Sequence, residues 1–387
     1  MRKKICIATG SRAEYGLLHG LIREVADDPE LELQLLVTGM HLMPEFGSTW
    51  RAIEADGFRI DRKVEMMVSG DTPTAMAKSV GLGVLGCADA FDSLRPDAVV
   101  VLGDRFEMLA VAQAAFIAGH AVAHISGGEV TEGAIDDTIR HAITKMSRYH
   151  FVAAEAYRQR VVQLGEDPAR VFNVGDPGLD NIARLPLLDR PSLCAQVGLD
   201  ASRPFFQVTH HPLTLGSAAP EPQMRAVLDA LDERGDHQVL ITKPNADAGG
   251  RLLSAMVDDY AQRQPGRVVA STSLGQLRYL SAMRHCAAVV GNSSSGIVEA
   301  PALHRPTVNI GSRQDGRLRA TSIVDCPAEL PAIRAALDRV LSADFQRGLA
   351  QTVSLYGQAD ASTRIRAILK QSDLGRHLPK RFHDVGR

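Results

Sequence analysis

The sequence predicts an α/β protein of two doubly wound domains that face each other across a cleft. Short, continuous apolar runs rich in β-branched residues alternate with longer helical patterns, which is typical of strands in parallel sheets. This alternation occurs twice, and an aperiodic stretch with three prolines, residues 184–204, separates the two series. The length of 387 residues also suffices for two cores of ordinary size.

The two series define the predicted domains. The first covers residues 1–185, with strands at residues 4–8, 32–37, 98–102, 121–125, 149–153 and 171–174. The second covers residues 204–360, with strands at residues 205–209, 238–242, 268–270, 287–290 and 307–310. A helix at residues 361–371 begins a C-terminal segment, 361–387, that we expect to cross back to the first domain. Ligands should bind beyond the carboxyl ends of the strands.

The composition argues against several classes of protein. The formal net charge is −2, so the chain as a whole does not attract nucleic acid or a membrane surface. The five cysteines lack the spacing of metal ligands, which suits a reducing cytoplasm and predicts no bound metal. No apolar run approaches the ~18 residues that span a bilayer, and the N-terminus lacks the apolar core of a signal peptide. We therefore expect a soluble, cytoplasmic protein.

Acidic residues follow the two central strands of the first series. Asp104 comes directly after one strand, and Glu129 follows the next, each behind a turn of small residues. Asp136 and Asp137 then begin a helix whose apolar residues recur every fourth position. Because the carboxyl ends of parallel strands meet at one edge of a sheet, we expect these four carboxylates to converge.

An ordinary explanation exists for part of this pattern. Acids are common in the first turn of a helix, where the helix dipole favours them. The basic residues that follow, Arg140, His141 and Lys145, have the spacing of i,i+4 partners on a solvated face. Asp104 is less easily explained in this way, because it sits between a buried strand and a helix with few polar residues. A functional role is therefore favoured for Asp104 first.

Two further stretches have the character of phosphate sites. The loop at residues 9–16 follows the first strand without a GxGxxG or GxxxxGK[ST] pattern, so Arg12 would supply the positive charge. In the second series a strand leads into Asn292, Ser293 and Ser294, where hydroxyls and free backbone N–H groups can cap a helix or bind phosphate. Glu299, one turn later, could accept hydrogen bonds from a ribose, or it could belong to a capping box.

Eight runs together resemble one enzyme family, and they cover the chain from Ile5 to about Arg319. They are TGSRAEYG, VLGDRFEML, HISGGEVTEGAIDDTIRHAITKMS, RVFNVG, KPNADAGG, SLGQLRYLSAM, GNSSSGIVEAP and TVNIGSRQDGR. The family is that of the hydrolysing UDP-N-acetylglucosamine 2-epimerases of sialic and legionaminic acid synthesis. The resemblance implies two Rossmann-like domains in the glycosyltransferase-B fold, with the nucleotide sugar in the cleft and no metal or cofactor.

The resemblance also implies roles for individual residues. It places in the catalytic cluster the residues Asp104, Glu129, Asp136, Arg105 and His211. It places in the substrate and UDP site the residues Arg12, Asp180, Ser293, Ser294, Glu299 and Arg313. One position departs from the family, since many members have glutamate where this chain has Ser126. Glu129 is the nearest acid that could replace it, and His124 or His211 would carry the proton otherwise.

The predicted reaction converts UDP-N-acetylglucosamine, or its 4-acetamido-6-deoxy relative, to UDP and a free N-acetylmannosamine-type sugar. It would proceed by elimination to a glycal and re-hydration, in the synthesis of nonulosonic, sialic-type acids. The sequence leaves open UDP or GDP as the nucleotide, and a homodimer or homotetramer as the assembly. Two alternatives share the fold, a glycosyltransferase with a UDP-sugar donor and a non-catalytic nucleotide-sugar sensor. The acidic cluster favours the epimerase, because a sensor has no use for it and a transferase needs fewer acids.

Overall fold

The computed structural model describes residues 2–70, 72–131, 135–212, 219–244, 250–375, 377 and 379–386. The chain forms two compact units. The first contains Met1–Glu129, Asp136–Asn181 and Tyr356–Arg387, and the second contains Val130–Ile135 and Ile182–Leu355. Each unit has its own parallel sheet and its own apolar core. The predicted domain limits at residues 185, 204 and 360 remain predictions.

The first unit is built on a parallel sheet. Its strands are β1 Lys3–Thr9, β2 Leu31–Thr38, β3 Arg62–Val64, β4 Ala98–Leu102, β5 Ala121–Ile125, β6 Tyr149–Val152 and β7 Val171–Asn173. They lie in the order β3-β2-β1-β4-β5-β6-β7. Every residue of β4 and β5 is buried, as expected for strands that are covered on both faces.

Helices cover the two faces of this sheet. They are α1 Arg12–Asp27, α2 Trp50–Ala55, α3 Pro73–Leu94, α4 Phe106–Ile117, α5 Asp136–Met146, α6 Glu155–Gln163 and α7 Pro177–Arg184. The C-terminal helix Ala361–Gln371, named α15 below by its place in the chain, also belongs to this unit. Its buried Ile365 and Leu369 join the same apolar core as Leu18 of α1.

The second unit repeats the pattern with another parallel sheet. Its strands are β8 Phe205–Thr209, β9 Gln238–Thr242, β10 Val268–Ser271, β11 Ala288–Gly291, β12 Thr307–Ile310 and β13 Ile323–Cys326, in the order β10-β9-β8-β11-β12-β13. Its helices are α8 Arg190–Val197, α9 Pro220–Asp232, α10 Gly250–Arg263, α11 Gly275–His285, α12 Ser295–Ala302, α13 Leu330–Leu341 and α14 Ala343–Gly348. Among the described residues, no helix is long and apolar enough to cross a membrane.

The structure confirms the predicted strands to within one residue at each end and corrects three other points. The edge strands β3 and β13 were missed, because each is short and only partly buried. The proline-containing stretch at 184–204 includes helix α8, in which Pro191 occupies the first turn, a position that tolerates proline. Helix α1 begins at Arg12, so most of the predicted phosphate loop is helical.

Candidate active site

The strand ends in the first unit bring the predicted acidic segments together. β4 and β5 are parallel neighbours with Leu102 opposite Ile125, so the residues that follow them leave the sheet at the same edge. The N–H of Gly103 donates to the carbonyl of Ile125 at 2.9 Å, which joins the two turns. Ser126 follows with φ at +64°, a left-handed conformation that is uncommon for a residue with a side chain.

Arg140 of α5 organises the acids. Its guanidinium is buried, with 1% of the side chain exposed, and it contacts the carboxylate of Asp104. It also donates to Oδ1 of Asp137 at 3.3 Å and to the backbone carbonyl of Glu129 at 2.9 Å. Asp136 lies half-buried in the first turn of the same helix. One buried cation therefore fixes the relative positions of three segments that were predicted separately.

Arg140 is buried and is not the ordinary helix-surface residue that its i,i+4 spacing predicts. The buried stripe of α5 and the turn after it contains Arg140, Ile143, Thr144 and Ser147, at helical spacing. Ile135, which the apolar pattern had included, is 42% exposed. The position of an arginine on the same stripe as a buried isoleucine was the signal that could have identified it.

His124 is hydrogen-bonded to the turn that precedes Asp104. Its Nε2 lies 2.7 Å from the carbonyl oxygen of Gly103, and its Nδ1 lies 3.1 Å from Oγ1 of Thr144. A carbonyl can only accept, so Nε2 carries the proton and Nδ1 accepts from the threonine hydroxyl. Burial lowers the pKa of His124 to about 3, so the ring is neutral at physiological pH. The contacts of both ring nitrogens fit a structural role.

Arg105 is held by a buried acid. Its Nε and Nη2 donate to the two carboxylate oxygens of Glu107 at 3.1 and 3.3 Å, and Glu107 is fully buried. Beside it, Glu14 accepts from the N–H groups of Gly10 at 2.7 Å and Ser11 at 3.1 Å. Burial, and then the neighbouring Glu107, raise the pKa of Glu14 to about 8. Glu14 therefore retains its proton at neutral pH.

The two remaining predicted residues of this unit differ in their surroundings. Arg12 is the first residue of α1, where it is exposed next to the capped helix N-terminus. Asp180 is fully buried, and its carboxylate accepts from the N–H groups of Ala361 at 3.0 Å and Ser362 at 2.8 Å, at the start of α15. These bonds give Asp180 a structural role, and substrate binding by this residue remains a prediction.

In the second unit, Asn292 links the end of β11 to the end of β8. Its Oδ1 accepts from the N–H of His211 at 2.7 Å, and its Nδ2 donates to the carbonyl of the same residue at 2.8 Å. Arg313 donates to the carbonyl of Asn292 at 3.2 Å. Burial, followed by the charge of Arg313, lowers the pKa of His210 to about 4 and holds that of His211 well below its usual range. Both histidines are therefore neutral at physiological pH.

The serine-rich turn before α12 is half-buried, as is Glu299 within that helix. Ser294 occupies the N-cap position without a side-chain capping bond, so the capping box considered from the sequence is not formed. Oγ of Ser293 instead accepts from the N–H of Ser295 at 3.4 Å. Burial raises the pKa of Tyr279, and the side chains of Ser295, Thr209 and Ser293 act in the opposite direction. The sequence did not single out this tyrosine, because a tyrosine in an amphipathic helix has the pattern of a core residue.

Among the described residues, no group of three or more His, Cys, Asp or Glu side chains is arranged to hold a metal ion. The polar groups at the carboxyl ends of the strands in each unit are instead carboxylates, guanidinium groups, amides and hydroxyls. Such groups can transfer protons and bind an anionic ligand.

Comparison with known proteins agrees with this chemistry. The chain matches the family described as UDP-N-acetylglucosamine 2-epimerase over residues 23–370. It is 38% identical over 385 residues to the GDP/UDP-N,N'-diacetylbacillosamine 2-epimerase (hydrolyzing) of Campylobacter jejuni, which covers 99% of this chain and 100% of that protein. It is also 38% identical over 332 residues to a polysialic acid biosynthesis protein of Escherichia coli, which covers 86% of this chain and 84% of that protein.

A solved structure extends the comparison to the fold. The UDP-N-acetylglucosamine 2-epimerase of Methanocaldococcus jannaschii, in complex with UDP-N-acetylglucosamine and UDP, superposes with a TM-score of 0.79 at 16% identity, over 95% of this chain and 100% of that one. This confirms the predicted fold class, two Rossmann-like α/β units of the glycosyltransferase-B type. With the family matched over most of its length, the chain belongs to the UDP-N-acetylglucosamine 2-epimerase family.

Proposed function

We propose that this protein is a hydrolysing 2-epimerase that converts a UDP-linked 2-acetamido sugar to UDP and the free sugar of the manno configuration. The observation that carries the proposal is the acid cluster around Arg140, in which Asp104, Asp137 and the Glu129 segment meet at one sheet edge. Family membership and the hydrolysing relative at 38% identity support the same reaction.

The chemistry requires more than one acid. The C2–H bond of a 2-acetamido sugar is not acidic, so the C1–O bond to UDP must begin to break first and leave positive charge on the sugar ring. A base then removes the C2 proton, which gives a glycal. Water adds at C1 while a different group protonates C2 from the opposite face, and this inverts the centre. Each proton-transfer group contributes about 10²- to 10⁴-fold to the rate.

We assign the proton transfers to Asp104, Glu129 and Asp136, with Arg105 beside them and His211 in contact with the sugar. Arg140 keeps the Asp104 carboxylate and the Glu129 backbone in fixed positions, so a carboxylate need not reorganise as charge develops on the substrate. We assign His124 a structural role rather than proton transfer, because its ring is buried and both ring nitrogens are hydrogen-bonded within the protein.

The leaving diphosphate would be bound by cationic and N–H donors. We assign this role to Arg12 and Arg313, together with the half-buried Ser293 and Ser294 before α12. Guanidinium groups match phosphate oxygens with paired hydrogen bonds, and backbone N–H groups at a helix start add to them. Glu299 would accept hydrogen bonds from the ribose hydroxyls.

Two sugars fit the proposal. The Campylobacter relative is named for N,N'-diacetylbacillosamine, which carries a second acetamido group, and the Escherichia coli relative for polysialic acid biosynthesis. Because the first of these relatives covers the whole chain, we propose the 2,4-diacetamido-2,4,6-trideoxy sugar as the preferred substrate and N-acetylglucosamine as the second. The nonulosonic acid pathway uses the product of either reaction.

We further propose that the protein works in the cytoplasm as a homodimer or homotetramer. Helices α3 and α4 of the first unit expose large apolar side chains, with Leu85 at 68%, Ile117 at 67% and Phe116 at 51%. Such neighbouring exposed apolar groups are typical of a surface that another protein covers. Light scattering of the purified chain measures the assembly directly, and a monomer at micromolar concentration would contradict this part of the proposal.

The reaction itself is tested by incubating the protein with each UDP-sugar in D₂O without an acceptor. We expect free UDP and a manno-configured sugar with deuterium at C2. Turnover that appears only when an acceptor sugar is added would support a glycosyltransferase instead, and binding without turnover would support a sensor. Replacement of UDP by GDP in the same assay identifies the nucleotide.

A further inference from the structure

The C-terminal tail after α15 runs along the first unit, where two of its aromatic rings lie against glycines. A Cβ on Gly119 would lie 2.1 Å from the ring of His377, and one on Gly165 would lie 2.3 Å from the ring of Phe382. The backbone also pairs at both places, since His377 donates to the carbonyl of Gly119 and His383 to that of Gly165, each at 2.9 Å. The described part of the tail is thus docked at two points.

Lys380 lies between these points and reaches the carboxyl end of α5. Its ammonium donates to the carbonyls of Lys145 at 2.7 Å and Ser147 at 2.6 Å, with that of Thr144 at 3.4 Å. The last carbonyls of a helix lack partners within the helix and carry its negative dipole end. The tail therefore supplies the cationic cap for the helix that carries the acid cluster.

A buried carboxylate fixes the ammonium in place. Glu166, 1% exposed, lies 2.6 Å from Nζ of Lys380 and also accepts from Lys145 at 2.7 Å and from His150 at 3.0 Å. Burial raises the pKa of Glu166, but hydrogen bonds from His150, Lys145 and Lys380 outweigh it and lower the pKa to about 2. The carboxylate is therefore charged throughout the physiological range, and it keeps Lys380 at the helix end.

The last turn of α5, which Lys380 contacts, is linked by hydrogen bonds to the turn that carries Asp104. Thr144 lies in that turn, its hydroxyl bonds to Nδ1 of His124 at 3.1 Å, and Nε2 of His124 bonds to the carbonyl of Gly103 at 2.7 Å. Gly103 immediately precedes Asp104, and Arg140 lies one turn before Thr144 on α5. A shift of the last turn of α5 would thus disturb both partners of the Arg140–Asp104 pair.

We propose that Lys380 is a positioning residue, through which the C-terminal tail holds α5 so that Arg140 and Asp104 stay in register. The effect on turnover rests on the proposed function, whereas the effect on α5 does not. The test is Lys380→Met, which keeps the aliphatic stem and removes the charge. Arg381→Met is the matched control, because Arg381 is an exposed cation of the same tail segment.

Three quantities are measured in wild type and both variants: kcat, KM for the UDP-sugar, and amide hydrogen exchange across residues 136–147. For Lys380→Met we expect kcat to fall about tenfold to a hundredfold, as small misplacements of catalytic groups do, with KM changed less than about twofold. We also expect faster exchange in α5. Arg381→Met should match wild type in all three.

Several results would overturn the proposal. One is a Lys380→Met enzyme with wild-type kcat, and another is a fall in kcat without faster exchange in α5. A rise in KM alone would mean that the tail contributes to substrate binding rather than to the position of α5. If the wild-type protein released no UDP at all, the proposed function would fail, and the exchange measurement by itself would still decide whether Lys380 holds α5.

Discussion

Both units place polar residues at the carboxyl ends of their strands, but the two units accommodate buried polar groups differently. In the first unit, oppositely charged side chains contact each other, as Arg140 does with Asp104 and Asp137. In the second, the buried groups are neutral at physiological pH: burial lowers the pKa of His210 to about 4, and the amide of Asn292 holds the backbone of the next histidine. The first arrangement suits proton transfer, and the second suits binding of an anion.

The two arrangements differ in the free energy that burial costs and in how firmly they position side chains. Removing a guanidinium from water costs several kcal/mol, and well-placed carboxylates only offset this cost. A cluster of this kind is therefore a poor way to increase stability, but it fixes the carboxylates in space. Neutral amides and imidazoles are cheaper to bury, provided that their hydrogen bonds are satisfied.

The largest effect should follow from Arg140→Met in the first unit. Two carboxylates lose their shared cation, and because their side chains are about a quarter exposed, at 23% and 26%, water compensates in part. We expect the free energy of unfolding to fall by about 2 kcal/mol, below the usual cost of breaking a fully buried pair. Turnover should fall about 10³-fold or more, because the base is no longer preorganised. Urea unfolding and steady-state kinetics measure these effects.

Arg263→Met in the second unit is the control for that variant. Arg263 pairs with Asp259 at 3.0 Å on an exposed face of α10, where an i,i+4 pair contributes about 0.5 kcal/mol or less. If the two substitutions proved equally mild, the buried cluster would not be the organising feature of the first unit.

The sequence was sufficient for most of the fold and for the strand ends that carry the acidic segments of the first unit. β4 is a continuous apolar run and β5 is apolar except for His124, so both predict buried strands, and their limits and the position of Asp104 after β4 could be predicted. β3 could not, since its three residues include two exposed cations and it forms only because β2 offers an open edge. Pro191 was taken as a sign of a linker, although proline suits the first turn of a helix equally well.

The contacts of the site could not be obtained from local patterns. Arg140 meets Asp104 across 36 residues, and Asn292 meets His211 across 81, so these pairs depend on sheet order rather than on spacing. The same limitation applies to Asp180, whose carboxylate caps a helix that begins 181 residues later in the chain. Family resemblance named candidate residues but did not give their partners.

Asp104→Asn and Glu129→Gln should differ in which proton transfer they lose. Because inversion requires removal and return of a proton on opposite faces of C2, the two variants should lose different steps, each with turnover slower by about 10²- to 10⁴-fold. A variant without the base should neither release UDP nor exchange deuterium into the substrate, whereas one without the hydration acid should release UDP and accumulate the glycal. NMR of the reaction mixture distinguishes these outcomes. Wild-type turnover by Glu129→Gln would make Glu129 structural and shift the proton to His211.

Smaller effects are expected in the second unit from Glu299→Gln and Ser294→Ala. Loss of one hydrogen bond to a charged or ribose oxygen should weaken product inhibition by UDP about tenfold. Incorporation of deuterium at C2 should stay complete, since the proposed proton-transfer groups are in the other unit. Glu329→Gln, an exposed glutamate of the same unit, is the control. Unchanged inhibition constants in both variants would show that the nucleotide binds elsewhere.

The smallest effect is a pH dependence of stability that has opposite signs at two groups, Glu14 in the first unit and His210 in the second. Burial, then Glu107, raise the pKa of Glu14 from its usual value of 4.5 to about 8, so its folded form binds more protons than its unfolded form between these values. This contribution to stability is complete below pH 4.5 and is lost as the pH rises towards 8. His210 behaves oppositely, because burial lowers its pKa from 6.5 to about 4, and its contribution grows as the pH rises through this interval.

Thermal unfolding of wild type, Glu14→Gln and His210→Gln at pH 5, 6.5 and 8 tests this last prediction. Gln resembles the protonated carboxyl and the neutral imidazole in having one donor group and one acceptor group, so each substitution removes the titration while keeping a polar group in place. Relative to wild type, Glu14→Gln should gain stability as the pH rises from 5 to 8. His210→Gln should lose it from pH 5 to 6.5 and then stay level. Parallel pH profiles for all three proteins would mean that neither Glu14 nor His210 titrates as its surroundings require.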